Sequence, residues 1–124
     1  MKFNTSQAIY IQIAEMVCEK VLLGQFKEEK RIPSAREMAM RLGVNPNTVM
    51  HTFEFLQSKD IITNKRGIGY FVTANGKEKA SLLRKDEFLQ NELPQLFKTA
   101  LLLNIPFEEI QELFASYRKK INNK

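Results

Sequence analysis

The chain has 124 residues, of which 44% are hydrophobic and 27% charged, a balance typical of a small globular protein and not of a disordered chain. Its net charge of +5 is compatible with a polyanionic partner such as nucleic acid. A single cysteine, Cys18, and a single histidine exclude an internal disulfide and a Cys/His metal site within one chain. Because it lacks a signal-peptide pattern and any long apolar run, we expect a soluble cytoplasmic protein without membrane contact.

The first predicted helix spans about residues Ser6–Leu23, with apolar side chains recurring at helical spacing and its first residue as the candidate N-cap. Gly24 would end the helix. Tyr10 and Gln12 are predicted to lie on its other faces. A charged loop, residues 25–33, follows and closes with a proline, which cannot continue a helix.

The second predicted helix is short and covers about residues 35–42. Ser34 precedes it as the N-cap, and Glu37 stands three positions further on, which is the sequence pattern of a capping box. Gly43 would end the helix, because glycine adopts the left-handed conformation readily.

A third helix begins directly after this turn and continues to about Lys59. Asn45 is its predicted N-cap, and Pro46 occupies the favoured first helical position. Its predicted buried residues are Val49, Phe53 and Leu56. Two short helices joined by a glycine-containing turn of about three residues are the arrangement of a helix-turn-helix.

After the third helix the hydrophobic period changes to two, which predicts strands at residues 61–65 and 68–72. A tight turn at Arg66 and Gly67 joins them. A hairpin directly after a helix-turn-helix is a wing. We therefore assign residues 1–75 to a winged helix-turn-helix DNA-binding domain, in a protein that is mostly α with a small β-hairpin.

The remaining residues, 76–124, are predicted to form a two-helix dimerisation tail. One helix covers about residues 77–103 with a bend at Pro94, and the other covers about residues 106–120. So short a segment buries little apolar surface alone, so we expect a second copy of the chain to cover it. The expected dimerisation residues are Leu89, Leu93, Leu96, Phe97, Ala100, Phe107, Ile110, Leu113, Phe114 and Tyr117.

Five separated segments carry a family resemblance. They read AIYIQI (8–13), GQF (24–26), RIPSAREMA (31–39), LGVNPNTV (42–49) and GIGYFV (67–72). In this order they resemble the GntR family of bacterial winged-helix transcription regulators, and the short helical tail resembles its YtrA-like branch. The resemblance implies a homodimer that binds a palindromic DNA operator and represses an ABC-type transporter operon.

The third helix of a winged helix points its N-terminal residues toward base edges in the major groove. Here those residues are Asn45, Asn47, Thr48 and, one turn further, His51. An asparagine can pair bidentately with adenine, and a threonine serves a phosphate or a thymine methyl group. We expect these four residues to contact DNA.

The second helix and the wing supply the other expected DNA contacts. The family pattern implies that Arg36 reaches the DNA backbone or a guanine, and Ser34 can donate to a phosphate. At the wing, Lys65, Arg66 and Gly67 are expected at the minor groove. Arginine suits a narrow, strongly negative groove, and the glycine allows a close approach.

The sequence departs from the family pattern at three positions. Many relatives have basic residues where Pro46 and Met50 stand, so two expected phosphate or guanine contacts are missing here. Asp60 replaces a usual glycine before the first strand, which predicts a slightly strained turn. We expect sequence preference to depend more on the asparagines, the histidine and the wing.

Each candidate contact also has a structural alternative. Arg36 could form a surface ion pair with Glu37 or Asp60, and Ser34 and Asn45 could serve only as helix caps. The histidine of the third helix could be a solvated surface residue, and the wing cations could serve solubility alone. Cysteine on the first helix is interpreted as a small buried hydrophobic residue.

Two other classes of function compete with a DNA-binding regulator. A winged helix can also be a protein-interaction module, but the exposed Asn47, Thr48 and His51 are small and polar, which favours base edges over an apolar protein partner. An enzyme is disfavoured because no catalytic constellation or phosphate-binding loop is present. We therefore expect no catalytic residues, cofactor or metal, and leave an unknown small-molecule effector open.

Overall fold

The computed structural model describes residues 7–123. The chain forms two compact units, of which the first ends at Lys85 and the second begins at Asp86. The fold is mostly helical with one two-stranded antiparallel hairpin, as predicted. In chain order the elements are α1 (Ile9–Leu22), α2 (Ala35–Leu42), α3 (Pro46–Ser58), β1 (Ile62–Lys65), β2 (Gly69–Val72), α4 (Gly76–Glu87), a π-helical turn (Phe88–Glu92), α5 (Leu93–Leu102) and α6 (Phe107–Asn122).

The core of the first unit brings together α1, α3 and the hairpin. The predicted stripe of α3, Val49, Phe53 and Leu56, is fully buried. It packs with Ile13 and Val17 of α1, which are also inaccessible to solvent. Each such side chain contributes about 1.5–3 kcal/mol when it leaves water, so this cluster is the main source of stability in the unit.

Local side-chain chemistry defines the turn between α2 and α3. The Ser34 hydroxyl accepts from the Glu37 N–H at 3.0 Å, and the Glu37 carboxylate accepts from the Ser34 N–H at 3.3 Å, which confirms the capping box. Gly43 ends α2 with φ of 69°. Asn45 caps α3, its side-chain oxygen accepting from the Asn47 N–H at 2.8 Å. The predicted helix-turn-helix is therefore present.

The start of α1 differs from the prediction. The cap expected at Ser6 lies outside the described residues, and the helix begins at Ile9 with Ala8 in the N-cap position. Gln12, predicted to lie off the apolar stripe of α1, is buried at 8% exposure. Its burial is tolerated because its amide donates to the Gln7 carbonyl oxygen at 2.7 Å, which satisfies the polar group.

The hairpin pairs β1 with β2 from Ile62 opposite Val72 to Lys65 opposite Gly69. Its loop has three residues, 66–68, one more than predicted. The Ile68 N–H donates to the Lys65 carbonyl oxygen at 2.9 Å, so Ile68 belongs to the turn and not to β2. Asp60, before the hairpin, has φ of 61°, the left-handed conformation that glycine adopts most readily and aspartate less so, which agrees with the slight strain predicted here.

A third chain segment pairs with the outer edge of β2, where the sequence predicted only a loop. The Glu29 N–H donates to the Val72 carbonyl at 2.8 Å, and the Ile32 N–H donates to the Tyr70 carbonyl at 2.9 Å. Between them Arg31 forms an antiparallel bridge with Phe71. The segment therefore covers an edge that would otherwise leave backbone groups unpaired.

The first part of α4 belongs to the first unit, whereas the domain boundary expected from the sequence is at residue 75. Gly76 and Ala80 are buried, and the Arg84 guanidinium lies 3.6 Å from the Glu15 carboxylate of α1. These contacts attach α4 to the base of the hairpin and to α1.

The second unit consists of the end of α4, the π-helical turn, α5 and α6. The π-helical turn ends two residues before Pro94, which lacks an N–H donor and cannot continue a regular helical ladder. Asn104 reverses the chain with φ of 56° before α6. Within the described residues, no helix is both long and apolar enough to cross a membrane.

Candidate nucleic-acid interface

The first turn of α3 presents small polar side chains. Asn45 and Asn47 are exposed and Thr48 is half-buried. The Asn45 side chain is engaged in the N-cap, so this residue has a structural role whether or not it contacts DNA. Asn47 is exposed at the N-terminal end of the helix, the position from which a side chain can reach a base edge.

His51 is held in place by Tyr10, a residue that was not among the site residues expected from the sequence. Its ring stacks on Tyr10 of α1 with centroids 3.7 Å apart and planes inclined by 14°. The Tyr10 ring also makes an edge contact with Phe55 at 6.0 Å, and the Tyr10 carbonyl accepts from the Thr52 hydroxyl at 2.8 Å. Tyr10 thus restricts the orientation of the histidine on the exposed side of α3.

No periodic signal identifies Tyr10 from the sequence. It stands 41 positions before the histidine that it contacts, and its helix has apolar residues at other positions of the same period. The one available signal is that an aromatic side chain stands on a face predicted to point away from the core.

The N-terminal end of α2 supplies Ser34 and Arg36. Ser34 is half-buried with its hydroxyl engaged in the capping box, and Arg36 is exposed. Within residues 7–123, no carboxylate lies within 4 Å of the Arg36 guanidinium, so neither Glu37 nor Asp60 forms the alternative ion pair. Arg36 is therefore available to a phosphate or a base.

The carboxylate of Glu37 carries a charge throughout the neutral pH range. Hydrogen bonds from the backbone N–H and the side chain of Ser34 lower the pKa of Glu37, and the positive charges of Arg31 and Arg41 lower it further. A negative charge at the start of α2 also favours the helix dipole.

The wing presents Lys65, Arg66 and Gly67, all of them exposed. The Lys65 ammonium lies 4.2 Å from the centre of the Phe71 ring, a cation–π contact that restrains this long side chain. Gly67 adopts φ of 80° at the tip, a conformation in which any other residue except asparagine or aspartate is disfavoured.

The wing and α3 are held together by the core. The Phe53 ring of α3 packs on Tyr70 of β2 with centroids 4.7 Å apart, and Ile61 and Ile62 are buried beneath. The helix that carries the polar first turn and the hairpin that carries the cations are therefore parts of one packed unit.

Metal-ligating side chains and the cysteine thiol are the other groups of chemical interest among the described residues. These residues contain no group of three or more metal-ligating side chains. Cys18 is buried, and this burial raises the pKa of its thiol to about 12, so it is protonated at neutral pH and is not a nucleophile. This agrees with its interpretation as a small hydrophobic residue.

Comparison with known families decides the class of protein. The model of the gntR family of bacterial regulatory proteins matches residues 9–72, more than half of the chain and the whole span from α1 to β2. The chain belongs to the GntR family.

Similar proteins extend the match beyond the family segment. The HTH-type transcriptional repressor YtrA of Bacillus subtilis is 32% identical over 110 residues, covering 88% of this chain and 83% of the relative. The HTH-type transcriptional regulator YhcF of the same organism is 31% identical over 113 residues, covering 90% of each chain.

A crystal structure of a GntR-family transcriptional regulator from Bacteroides thetaiotaomicron is 44% identical, with a TM-score of 0.71 over 91% of this chain and 98% of that one. This GntR-family protein is therefore a YtrA-like, helix-turn-helix transcription regulator that binds DNA, and its family is one of regulators and not of enzymes.

Proposed function

We propose that this regulator is a cytoplasmic homodimeric repressor, which binds a palindromic operator and controls an operon encoding an ABC-type transporter. The proposal is supported by the exposed polar N-terminal half of α3, where Asn47 and His51 project from the same packed unit as the cationic wing. Small polar side chains suit the base edges of a major groove, and the adjacent cations suit phosphates.

The proposed dimer rests on apolar side chains of the second unit that remain exposed in the single chain. Phe107, Leu113, Phe114 and Tyr117 are each at least 60% exposed, and α6 contains no buried residue. A helix with such a face is stable in water when a partner covers it, and a second copy of the chain offers the same face.

A symmetric dimer would present two winged heads to the DNA. Its operator would therefore be an inverted repeat with half-site centres about one helical turn, ~10 bp, or a multiple of it apart. The proposed repressor role is supported by the similarity to the repressor YtrA. The transporter operon follows only from resemblance to the YtrA-like branch.

The proposal can be tested by selecting retained duplexes from a random pool with the full-length protein at ~150 mM salt, where non-specific electrostatic attraction is weak. We expect enrichment of an inverted repeat. Arg36→Gln should weaken binding to the enriched duplex about tenfold, because a charge-assisted contact is lost. Arg41→Gln removes the same charge from the last turn of α2 and should leave binding close to that of the wild type.

The enriched sequence also tests the regulatory role. Placed over a promoter in a purified transcription assay, it should reduce transcript when the protein is added, and in the source genome it should precede genes of an ABC-type transporter. Retention without a shared motif would contradict specific binding and favour the protein-interaction module. A motif without inverted symmetry would contradict the dimer, and increased transcript would contradict repression.

A further inference from the structure

The hairpin has an inner and an outer face. On β2, Val72 is buried and Tyr70 packs on Phe53 at 4.7 Å, so both side chains face the core. Successive residues of a strand point to opposite faces. Gly69 and Phe71 therefore face outward, away from the core.

Two cationic side chains join this outer face from the segments on either side of β2. Arg31 is paired with Phe71, and Lys65 lies opposite Gly69 in the hairpin register. Because paired residues of neighbouring strands point to the same face, both cations lie outward. The face thus combines an arginine, an aromatic ring and a lysine across three adjacent segments.

The glycine of β2 makes room for the arginine. If Gly69 carried a Cβ atom, that atom would lie 2.8 Å from Nε of Arg31, closer than such contacts allow. Gly69 also has φ of 140°, which other residues rarely adopt. On the other side, the Lys65 ammonium is restrained 4.2 Å from the Phe71 ring centre. Lys65 is therefore held by a contact within the hairpin, whereas the Arg31 side chain lies over Gly69 of β2.

These two charges are not neutralised within the described part of the protein. In residues 7–123, neither Arg31 nor Lys65 has a carboxylate within 4 Å. The positive charge of Arg31 lowers the pKa of Glu37, but the Glu37 carboxylate is already hydrogen-bonded to Ser34 in the capping box. Two like charges on one face repel each other, and an anion bound between them would relieve that repulsion.

We propose that Arg31 and Lys65 form a phosphate-binding site on the outer face of the wing, with Gly69 positioning the Arg31 guanidinium. The proposed ligand is a backbone phosphate of double-stranded DNA, which guanidinium binds bidentately and ammonium binds as a point charge. This inference rests on the proposed DNA-binding function and adds an anchor outside the wing tip. Arg31 is not among the DNA contacts expected from the sequence.

The first test is the salt dependence of binding to a fluorescein-labelled duplex that carries the enriched sequence. Each phosphate contact contributes about 0.9 to the slope of log affinity against log salt concentration. Arg31→Gln should lower that slope by about one per subunit and weaken binding about tenfold at ~150 mM salt. The enriched sequence should not change, because a phosphate contact carries no base information.

Lys30→Gln is the matched control, since it removes the same charge from an exposed residue directly next to Arg31 in the chain. Its slope should equal that of the wild type. A wild-type protein that binds no duplex would defeat the proposed function itself. Wild-type binding together with an unchanged slope for Arg31→Gln would instead overturn this inference alone.

Gly69→Ala tests the positioning role by a double-mutant cycle. We expect this variant to weaken DNA binding in the wild-type background, because its methyl group displaces the guanidinium, and to add nothing in the Arg31→Gln background. A loss of affinity of equal size in both backgrounds would show that Gly69 acts only through the strain of the hairpin, and would remove it from the proposed site.

Discussion

Burial decides the chemistry of Cys18 at the scale of the single residue. The desolvation of its thiol raises the pKa from an ordinary value of 9.0 to about 12, and the nearby Arg84 offsets only part of this effect. The folded protein therefore keeps the thiol proton at a pH where the unfolded chain loses it. Because the unfolded state then binds fewer protons, the free energy of unfolding must fall as pH rises above 9.

We predict that Cys18 lowers the free energy of unfolding by at most ~1.4 kcal/mol for each pH unit above 9. Urea unfolding of the wild type and of Cys18→Ala at pH 8 and pH 10 measures it, because every other ionisable group is common to both proteins and its contribution cancels in the comparison. The stability of the wild type should decline more. A parallel decline in both proteins would show that the thiol titrates equally in both states.

The stacked pair of Tyr10 and His51 leads to a second prediction for single residues. Tyr10→Ala should weaken binding to the enriched duplex about two- to tenfold, because an aromatic pair of this kind contributes about 0.5–1.5 kcal/mol to holding the imidazole in place. Tyr10→Phe keeps the ring and should bind like the wild type.

Base preference distinguishes a role of Tyr10 in orienting His51 from a role in the stability of the fold. If Tyr10 orients His51, then Tyr10→Ala and His51→Ala should lose discrimination at the same base pair, measured with duplexes that carry single substitutions. Equal weakening on all duplexes would assign Tyr10 a structural role only.

The contact between Tyr10 and His51 is of a kind that could not be predicted from the sequence, unlike the helix caps. The caps at Ser34 and Asn45 could be predicted because each depends on residues within three positions along the chain. The stacking of Tyr10 on His51 joins two helices, and the placement of Arg31 depends on a bridge to Phe71. Such contacts follow from tertiary packing, which local periodicity does not contain.

At the scale of the element, the same distinction separates α2 and α3 from the hairpin. Helical spacing and capping residues predicted both helices, including the buried stripe of α3. The predicted hairpin loop was one residue too short. Gly67 and Gly69 both adopt positive φ angles, and the alternation of apolar and polar residues does not show at which of these glycines the loop ends. The edge pairing of residues 29–32 was missed because this charged segment lacks strand-forming composition.

The capping box of α2 gives the prediction at this scale. Ser34→Ala should lower the free energy of unfolding by about 1 kcal/mol at pH 7, since one N-cap hydrogen bond is lost. Ser81→Ala, an exposed position within α4, is the control and should be neutral or slightly stabilising.

The effect of Ser34→Ala should also depend on pH. Because its hydrogen bonds with Ser34 lower the pKa of Glu37, the contribution of that carboxylate is present above the unfolded pKa and is lost as pH falls through the folded one. Urea unfolding at pH 7 and pH 3 should therefore show a smaller difference between Ser34→Ala and the wild type at pH 3. A difference that grows in acid would contradict the reciprocal box.

At the scale of the whole molecule, the two units differ in how much of their apolar side chains they bury. The first unit contains nearly all of the buried hydrophobic side chains, whereas in the second unit Ala100 is the buried one among the described residues. A unit with its own core does not need the other to remain folded. The proposed dimer would therefore form through the second unit. By joining two heads through the apolar face of α6, it would raise the affinity of the protein for an operator that has two half-sites.

This division predicts a variant that separates dimerisation from folding. Phe114→Glu places a charge in the apolar face of α6, where the side chain is 60% exposed in the single chain. If a second copy covers this face, the charge must be desolvated and the dimer should dissociate. Ser116→Glu adds the same charge on the opposite side of the helix and should leave the mass unchanged.

Sedimentation equilibrium and duplex binding measure the two consequences. Phe114→Glu should sediment as a monomer, bind a single half-site as the wild type does, and lose at least tenfold in affinity for the full inverted repeat, because the second head no longer binds at a high effective concentration. The thermal unfolding of the first unit should be retained, since its core is self-contained. A wild-type mass for Phe114→Glu would contradict dimerisation through α6, and a monomer with undiminished affinity for the inverted repeat would show that the two heads bind independently.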